Sequence, residues 1–546
     1  MSDTHEVFNQ PPPLHGHDVF GDDLPLVEAV RREGGEWAET SLRALGRKAG
    51  TAGAIAWGVQ ANEATPKLKT HDRFGQRIDE VEFHPAWHAL MQVAVESGLH
   101  AFAATDARPG QHVARAAGFF VWSQVEAGHG CPISMTHAVV PALRVQPELA
   151  KEWEPRFTSR HYDFGLRPPQ EKAGLICGMA MTEKQGGSDV RANTTRAVAT
   201  GQGSDYALTG HKWFCSAPMS DAFLVLAQAP AGISCFLVPR VLPDGTRNRI
   251  HLQRLKDKLG NRSNASSEIE LHGALAHRVG EEGRGVRTII EMVNFTRLDC
   301  VIGSAAIMRQ GLTQAIHHAA HRSAFGKLLI DQPLMRNVLA DLALESEAAT
   351  QVMIRLAAAC DRAGHGDEQE NLFKRVALAV SKYQVCKRAP VHAAEALECL
   401  GGNGYVEESI MPRLYREAPV NSIWEGSGNV NALDMLRAAA KLPESVGVFF
   451  AELDRARGGN VHLDRAIERL QSELSSFEDL EVRARRVVEQ LALALQASLL
   501  VRHAPAAVSD AFCASRLGGE WGTAFGTLSP KVDFGALIER HRIHAA

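Results

Sequence analysis

Apolar side chains recur at two different spacings along this chain. From about residue 24 to residue 145 they repeat every three or four positions, as on one face of a helix. From about residue 174 the apolar runs become short and are separated by Gly and Asp, which is typical of antiparallel strands joined by turns. After Gly285 the helical spacing returns, and Gly401-Gly402 ends one of the helices that it predicts.

This order of elements predicts an α+β protein with several domains. At 546 residues the chain is too long for one hydrophobic core. The segments that we predict are an extended, Pro-rich arm at 1–20, a helical domain at 21–173, a small β domain at 174–284, a helical bundle at 285–444 and a further helical domain at 445–546.

Charge and cysteine content exclude several classes of protein. The formal net charge is -4, so any binding of nucleic acid requires a local basic patch. The nine cysteines form no Cys-x-x-Cys pair and no zinc-like cluster with histidine, so we expect reduced thiols and no metal site. The first residues lack the apolar core of a signal peptide, and no apolar run is long enough to cross a bilayer. We therefore expect a soluble, cytoplasmic protein.

Two segments of the β domain combine glycine, hydroxyl and aromatic residues. Residues 181–189, MTEKQGGSD, form either a loop whose backbone N–H groups bind a ligand or an ordinary β-turn. Residues 210–216, GHKWFCS, place Trp213 beside Phe214 in a strand. This aromatic pair either belongs to the core or packs beside a flat heteroaromatic ring.

Three segments of the helical bundle carry similar alternatives. Arg322, at the end of a long helix, either favours the helix dipole or forms a fork for a pyrophosphate. The run LGGNGY at 400–405 either ends a helix or lets the backbone approach phosphates. In IWEGSGN at 423–429, Asn429 is a candidate N-cap of the next helix. Glu425 is either a solvated surface residue or a general base whose pKa is raised by desolvation.

Taken together and in this order, the motifs resemble those of the acyl-CoA dehydrogenase family. The resemblance covers about residues 60–440 and also includes KDKLGNRSNAS at 256–266 and RSAFG at 322–326 with Gln332. It implies an N-terminal helical domain, a middle antiparallel β-barrel and a C-terminal helical bundle, with bound FAD and assembly as a homotetramer. Residues 445–546 would then form an additional helical domain.

The resemblance also assigns roles to single residues. Glu425 matches the catalytic base, and Arg297 matches an Arg near that base. Arg322, Phe325 and Gln332 would hold the adenine–pyrophosphate half of FAD, typically from a neighbouring subunit. The full set implied to bind FAD is Met181, Thr182, Gly187, Ser188, Trp213, Phe214, Cys215, Ser216, Arg322, Phe325, Gln332, Gly401, Gly402, Gly404, Ile423, Trp424, Ser427 and Asn429.

The implied reaction is the α,β-dehydrogenation of a fatty acyl thioester. Glu425 would remove the α-proton while a hydride leaves the β-carbon for the flavin. The Glu425 backbone N–H and a ribityl hydroxyl of the flavin would hydrogen-bond the thioester oxygen. Trp424 stands in place of a common Tyr, Cys215 in place of a hydroxyl residue and Glu398 in place of a Gln. We therefore expect weak activity on ordinary acyl-CoA.

The resemblance is stronger still to those members of the family that take part in the DNA alkylation response. It rests on FNQPPPL at 8–14, VEAGHGCPISMTHA at 125–138 and RLYREAPVNSIWEGSGN at 413–429. That branch implies binding of double-stranded DNA by the C-terminal region, and Arg437 and Arg516 match its basic residues.

Two functions follow from these patterns. The first is a flavoprotein of the DNA alkylation response that binds duplex DNA and has weak isovaleryl-CoA-type dehydrogenase activity. The second is a metabolic dehydrogenase of short or branched acyl-CoA that binds no DNA. Arg483, Arg485 and Arg486 lie near the candidate DNA residues in sequence, but such a cluster is also typical of a solvated helix face.

Overall fold

The computed structural model describes residues 4–105, 108–201, 203–475 and 479–543. The chain divides into two compact units. The helical unit comprises residues 1–52, 109–124 and 300–546, and the barrel unit comprises residues 53–108 and 125–299. The five-segment division that the sequence predicts stays a prediction.

The helices account for most of the chain. In order they are α1 (Leu24–Arg32), α2 (Glu39–Ala49), α3 (Ala52–Glu63), α4 (Pro85–Glu96), α5 (Phe102–Thr105), α6 (Gln111–Ser123), α7 (Gly130–Leu143), α8 (Pro147–Phe157), α9 (Gly285–His321), α10 (Pro333–Gly364), α11 (Glu368–Glu398), α12 (Gly402–Tyr405), α13 (Met411–Glu417), α14 (Gly428–Lys441), α15 (Pro443–Asp454), α16 (Val461–Ser475), α17 (Leu480–His503), α18 (Ala506–Phe512) and α19 (Phe534–His541). Short 3-10 turns occur at Glu36–Ala38, Pro169–Glu171, Val190–Ala192, Leu329–Asp331 and Ala418–Ser422, and a π-helical turn at Cys513–Leu517.

The strands lie mainly in the barrel unit. They are β1 (Lys67–His71), β2 (Arg77–Glu82), β3 (Cys177–Ala180), β4 (Arg196–Ala199), β5 (Asp205–Ser216), β6 (Ala222–Ala229), β7 (Gly232–Pro239), β8 (Ile250–Leu255), β9 (Ser266–Val279), β10 (Ser323–Ala324) and β11 (Lys327–Leu328). Within the described residues, no helix combines the length and the apolar character needed to cross a membrane.

Two long helices form the centre of the helical unit. α10 begins at Pro333, where the missing N–H costs no helical hydrogen bond. α11 begins after Asp367, whose carboxylate accepts hydrogen bonds from Gln369 N (2.9 Å) and Glu370 N (3.1 Å). α11 then carries a long buried stretch, residues 376–386, and packs against α10, α14, α15 and α17. It therefore provides a rigid support for whatever loop lies against it.

Five strands of the barrel unit close into a ring. β6 pairs with β7, β7 with β9, β9 with β5, and β5 with β4, all antiparallel. β4 returns to β6 through the pair Arg196 and Gln228. β3 adds to β6, and β8 adds to β9. The structure thus confirms the predicted β-barrel.

Two strand pairings of the predicted antiparallel barrel are parallel. β3 and β4 each run parallel to β6. Parallel neighbours require a crossover connection, and the chain between β3 and β6 is long enough to provide one. Short apolar runs in the sequence give no information on strand direction.

The strand β6 faces a core on each side. Phe223 and Val225 belong to a cluster with residues of β5, β7 and β9, whereas Leu224 and Leu226 pack with residues of α7 and α8. This alternation follows from the two-residue repeat of a strand. Because both faces are buried over residues 222–227, this part of β6 appears in the sequence as an uninterrupted apolar run.

The hairpin β1–β2 lies inside the segment that the sequence predicts as helical. Leu68 pairs with Val81, and the Asp72 carboxylate accepts from Phe74 N (2.8 Å) and Gln76 N (2.9 Å) in the turn. Six of the eleven side chains in the two strands are charged, and nine of the eleven are at least partly exposed, so the strands show no clear apolar repeat. Pairing across the turn and the packing of Val81 and Leu68 against the barrel core together determine this hairpin.

Candidate functional site

In the barrel unit, the loop after β3 is fixed by the buried carboxylate of Glu183. This group accepts hydrogen bonds from Lys212 Nζ (2.8 Å), Thr194 N (2.7 Å) and Thr195 N (3.1 Å). Burial opposes its ionisation, but the hydrogen bonds from Lys212, Thr194 and Thr195 outweigh that cost and hold the pKa of Glu183 well below its usual range. Residues 183–186 form a tight turn above this ion pair.

The predicted flavin contacts of this loop lie beside the next motif. The backbone N–H of Trp213 donates to Thr182 O (2.8 Å), which joins the loop to β5. A Cβ on Gly187 would lie 2.4 Å from Thr182 Oγ1, so the loop requires glycine there. Met181 and Thr182 are half-buried and Ser188 is exposed. The structure therefore brings the two predicted motifs of the barrel together.

The aromatic pair of β5 lies at the surface of the barrel unit and not in its core. Trp213 is half-buried and Phe214 is 48% exposed. Lys256 Nζ lies 3.3 Å from the centre of the Trp213 ring and 4.7 Å from that of Phe214, and it also donates to Glu268 Oε1 (2.7 Å). An indole held in this way offers a flat apolar edge beside a cation.

The neighbouring candidates of the barrel unit differ in exposure. Cys215 is buried, and burial raises the pKa of its thiol to about 12, so the sulfur is neutral and offers a weak S–H donor. Ser216 is half-buried, with its Oγ 3.5 Å from Ser266 Oγ. Arg297 is buried on α9.

In the helical unit, Glu425 lies in a loop, residues 424–427, that several hydrogen bonds hold in place. Its backbone has φ +57°, a left-handed conformation that non-glycine residues rarely adopt. The Lys382 ammonium donates to Trp424 O (2.8 Å) and to Gly426 O (2.5 Å), the carbonyl groups on either side of Glu425. Asn431 Nδ2 donates to Gly426 O (2.6 Å) and to Ser427 O (3.0 Å).

The predicted N-cap of the following helix is wrong by two residues. α14 begins at Gly428, so Ser427 occupies the N-cap position and Asn429 lies in the first turn. The Ser427 side chain makes no capping hydrogen bond. Gly426 has φ +101° and places the helix start directly after the Glu425 loop. The first amide groups of α14 are consequently directed at the same loop.

The hairpin β10–β11 carries the Arg322 motif. Phe325, at its tip, has φ +52° and is fully exposed. Gln332 Nε2 donates to Ala324 O (2.9 Å), and Leu329 N donates to Arg322 O (2.8 Å), so the three predicted residues of this motif belong to one folded segment.

The N-terminal arm supports this hairpin. Asn9 pairs its side chain with the backbone of Ser323, donating to Ser323 O (2.9 Å) and accepting from Ser323 N (2.7 Å). The Arg322 guanidinium donates to Asn9 O (2.8 Å), and His317 Nε2 lies 2.7 Å from Pro12 O. Residues 4–20 contain no helix or strand.

Glycine is present at positions 401, 402 and 404 for different structural reasons. Gly401 has φ +58° with ψ -140°, which strongly favours glycine. A Cβ on Gly404 would lie 2.2 Å from Leu397 O. A Cβ on Gly401 or Gly402 would meet nothing within 4 Å, so the backbone there borders open space. This segment follows the end of α11 and also leaves its backbone open to a ligand. It is therefore compatible with both predicted alternatives, a helix end and a backbone that phosphates can approach.

Of the two predicted DNA contacts, the structure contradicts Arg516. Its guanidinium is buried and donates to Asp341 Oδ1 (2.5 Å) and Glu345 Oε1 (3.0 Å), and it lies 4.1 Å from the ring centre of Trp521. A buried cation held by two carboxylates cannot reach a phosphate. Arg437 is exposed on α14.

The candidate residues suit FAD. In the helical unit, an Arg at a hairpin, a glycine segment bordering open space and a helix N-terminus without a side-chain cap are features that accommodate a pyrophosphate. In the barrel unit, a half-buried indole beside a turn rich in glycine suits a flat ring.

Three consecutive parts of the chain match family models. Residues 9–164 match the adaptive response protein AidB N-terminal domain, residues 178–274 the acyl-CoA dehydrogenase middle domain, and residues 283–440 the acyl-CoA dehydrogenase C-terminal domain. The chain belongs to the acyl-CoA dehydrogenase family. Members of this family are FAD-dependent oxidoreductases, which confirms the predicted fold, cofactor and class of enzyme.

Within the acyl-CoA dehydrogenase family, the chain is similar to two proteins over most of its length. AidB of Escherichia coli (strain K12), which its name assigns to the acyl-CoA dehydrogenases, is 48% identical over 93% of this chain and 94% of its own length. Acyl-CoA dehydrogenase family member 11 of Caenorhabditis elegans is 30% identical over 78% of this chain and 72% of its own length. The crystal structure of Caenorhabditis elegans ACDH-11 in complex with C11-CoA has a TM-score of 0.85 and 27% identity, covering 99% of this chain and 93% of that one.

Reasoning from the sequence missed three residues that organise the site. Lys382 carries a signal in the sequence, because it interrupts a largely apolar stretch of α11 that is buried in the structure. Lys212 lies inside the motif at 210–216, beside the aromatic residues on which the prediction for that motif rests. Asn9 gives no local signal, since its partners are more than 300 positions away.

Proposed function

We propose that this protein removes the α-proton of an acyl-CoA with the carboxylate of Glu425. The observation that carries the proposal is the loop geometry: a carboxylate residue with left-handed backbone, held from both sides, directly before the N-terminus of α14. Bound FAD supplies a hydride acceptor for the β-carbon. The acyl-CoA substrate class is supported by the ACDH-11 structure, which holds C11-CoA.

The other candidate residues would bind and orient the acyl-CoA and FAD. The backbone N–H of Glu425 would donate to the thioester oxygen and so favour loss of the α-proton. Trp213 and the turn at 183–186 would bound the flavin ring, and Arg322 with Gly401 and Gly402 would hold the pyrophosphate. Trp424 and the weakly hydrogen-bonding thiol of Cys215 would keep the rate on ordinary acyl-CoA low.

The test is anaerobic reduction of the purified flavoprotein by isovaleryl-CoA, followed as bleaching of the flavin absorbance. We expect Glu425→Gln to abolish bleaching while FAD content is retained, because the amide cannot accept a proton. The matched control is Glu408→Gln, an exposed carboxylate outside the loop. Bleaching that persists in Glu425→Gln would remove this residue from the role of base.

The second part of the proposal is that the protein acts in the DNA alkylation response and binds duplex DNA as a homotetramer. It is supported by the extent of the similarity to AidB and by the exposed position of Arg437. With a net charge of -4 the chain offers only local patches, so several subunits would have to contact one duplex together. A fully exposed Phe325 and an exposed Leu334 are the kind of apolar side chains that subunit contacts bury.

Binding of a random-sequence duplex over a series of salt concentrations tests this part. We expect retention at low salt that falls steeply as salt rises, because phosphate contacts release counterions. Arg437→Ala should weaken binding, whereas Arg196→Ala, which removes the same charge from β4, should not. Sedimentation of the same sample measures the oligomeric state. Absence of binding at low salt would favour the alternative, a metabolic dehydrogenase of short or branched acyl-CoA.

A further inference from the structure

The buried lysine of α11 makes an unusual set of contacts. Lys382 is only 1% exposed, and its Nζ donates to Trp424 O (2.8 Å) and to Gly426 O (2.5 Å). These are the carbonyl groups immediately before and after Glu425. One ammonium group therefore joins both sides of the residue that would act as base.

Buried ammonium groups are normally paired with carboxylates. Across the residues that the structure describes, no Asp or Glu lies within ion-pair distance of Lys382 Nζ. Its charged neighbour on α11 is Lys387, and Cys386 and Tyr383 lie between them. Burial of a charge without a counter-charge is costly, and such a group is retained where the charge or its hydrogen bonds serve a purpose.

The loop that Lys382 holds is strained. Glu425 has φ +57°, and left-handed backbone in a residue with a side chain costs energy unless the surroundings impose it. Asn431, which is fully buried, holds Gly426 O and Ser427 O and so secures only the side that follows Glu425. Among the described residues, Lys382 supplies the side-chain hydrogen bond to the carbonyl that precedes it.

We propose that Lys382 is a positioning residue for Glu425. It fixes the carbonyl groups on both sides, imposes the left-handed backbone and so aims the carboxylate, without itself touching substrate. This inference rests on the proposed role of Glu425. Its consequence is specific: loss of the ammonium should impair proton removal far more than it impairs binding of FAD or of acyl-CoA.

The experiment uses the full-length flavoprotein with Lys382→Met, whose unbranched side chain is one atom shorter than that of Lys and lacks the charge and its donors. We expect the limiting rate of flavin reduction by isovaleryl-CoA to fall about 100-fold, because a displacement of about 1 Å at a reacting group has an effect of this size. The FAD dissociation constant and the acyl-CoA concentration for half-maximal rate should stay within about twofold of those of the unaltered protein. The matched control is Lys374→Met, on the same helix and half-buried, which should leave all three quantities unchanged.

A second measurement does not depend on turnover. Amide hydrogen exchange should rise in a peptide covering residues 423–429 of Lys382→Met and stay unchanged in one covering residues 181–189. Should Lys382→Met not fold, Lys382→Arg takes its place, since it keeps the charge but cannot seat one small ammonium between two carbonyls. We expect it to lower the rate at least tenfold with FAD still bound.

The possible outcomes separate this inference from the proposed function. A rate in Lys382→Met within threefold of the unaltered protein, or a loss of rate that only follows a loss of FAD, would overturn the role of Lys382. Persistent bleaching in Glu425→Gln would overturn the proposed base itself. A normal Lys382→Met beside an inactive Glu425→Gln would leave the proposed function standing and reject the inference alone.

Discussion

Two buried lysines, one in each unit, hold two candidate loops in different ways. Lys212 in the barrel unit is paired with the buried carboxylate of Glu183. Lys382 in the helical unit is bonded to carbonyl oxygens alone among the described residues. In the first case the positive charge is neutralised within the fold; in the second it remains beside the loop of the candidate base. We infer that the first lysine mainly contributes stability and the second mainly contributes geometry.

The largest change in stability should come from breaking the ion pair between Lys212 and Glu183. Lys212→Met leaves Glu183 buried without its cation, and removing one partner of a buried pair typically costs about 3–5 kcal/mol. We expect a loss of this size in the free energy of unfolding, measured with chemical denaturant. Lys184→Met, an exposed lysine of the same loop, should change it by less than about 0.5 kcal/mol. The double variant Lys212→Met/Glu183→Gln should regain part of the lost stability. A Lys212→Met variant as stable as the unaltered protein would contradict the inference that Lys212 mainly contributes stability.

A third buried cation, Arg516, extends the comparison. Like Lys212 it is neutralised by carboxylates, Asp341 and Glu345. Arg516→Ala should cost about 3 kcal/mol or less, because Glu345 still accepts from Arg388 and Asp341 from the indole N–H of Trp521. Thermal or denaturant unfolding measures the loss, and Arg437→Ala is the exposed control. If Arg516→Ala weakened DNA binding without a loss of stability, Arg516 would again be a candidate DNA contact.

A smaller effect is expected in the pH dependence of stability, because the Lys212–Glu183 pair is lost when Glu183 is protonated. The pKa of Glu183 is lower in the folded protein than in the unfolded chain. The stability that this shift contributes is therefore present above the ordinary Glu pKa and is lost as pH falls toward the folded value. Between pH 5 and pH 3 we expect the unaltered protein to lose about 1–2 kcal/mol more than the double variant Lys212→Met/Glu183→Gln. Denaturant titrations at several pH values make the comparison, and parallel curves would contradict it.

The candidate site was predictable where its chemistry is local. Glycine at 187 is favoured by the close approach of Thr182 and glycine at 401 by its backbone conformation. These glycines, the aromatic pair at 213–214 and the carboxylate at 425 each stand in a short run that appears as a motif. Strand direction in the barrel and the hairpin β1–β2 were not predictable in this way. They depend on pairing between segments, and their apolar pattern is short or absent.

By itself, the sequence determined the order of helices, small β domain and helical bundle and the residues of the candidate loops, and the resemblance of its motifs to the acyl-CoA dehydrogenase family implied the barrel and the cofactor. Local periodicity and short motifs carry that information. Only the tertiary structure decided which cations are neutralised and which residues act at a distance. It buries Arg516 while exposing Arg437, seats Lys382 beneath Glu425 and joins Asn9 to Arg322. The reason is physical: burial and hydrogen bonding depend on partners far along the chain, and one-dimensional spacing does not specify them.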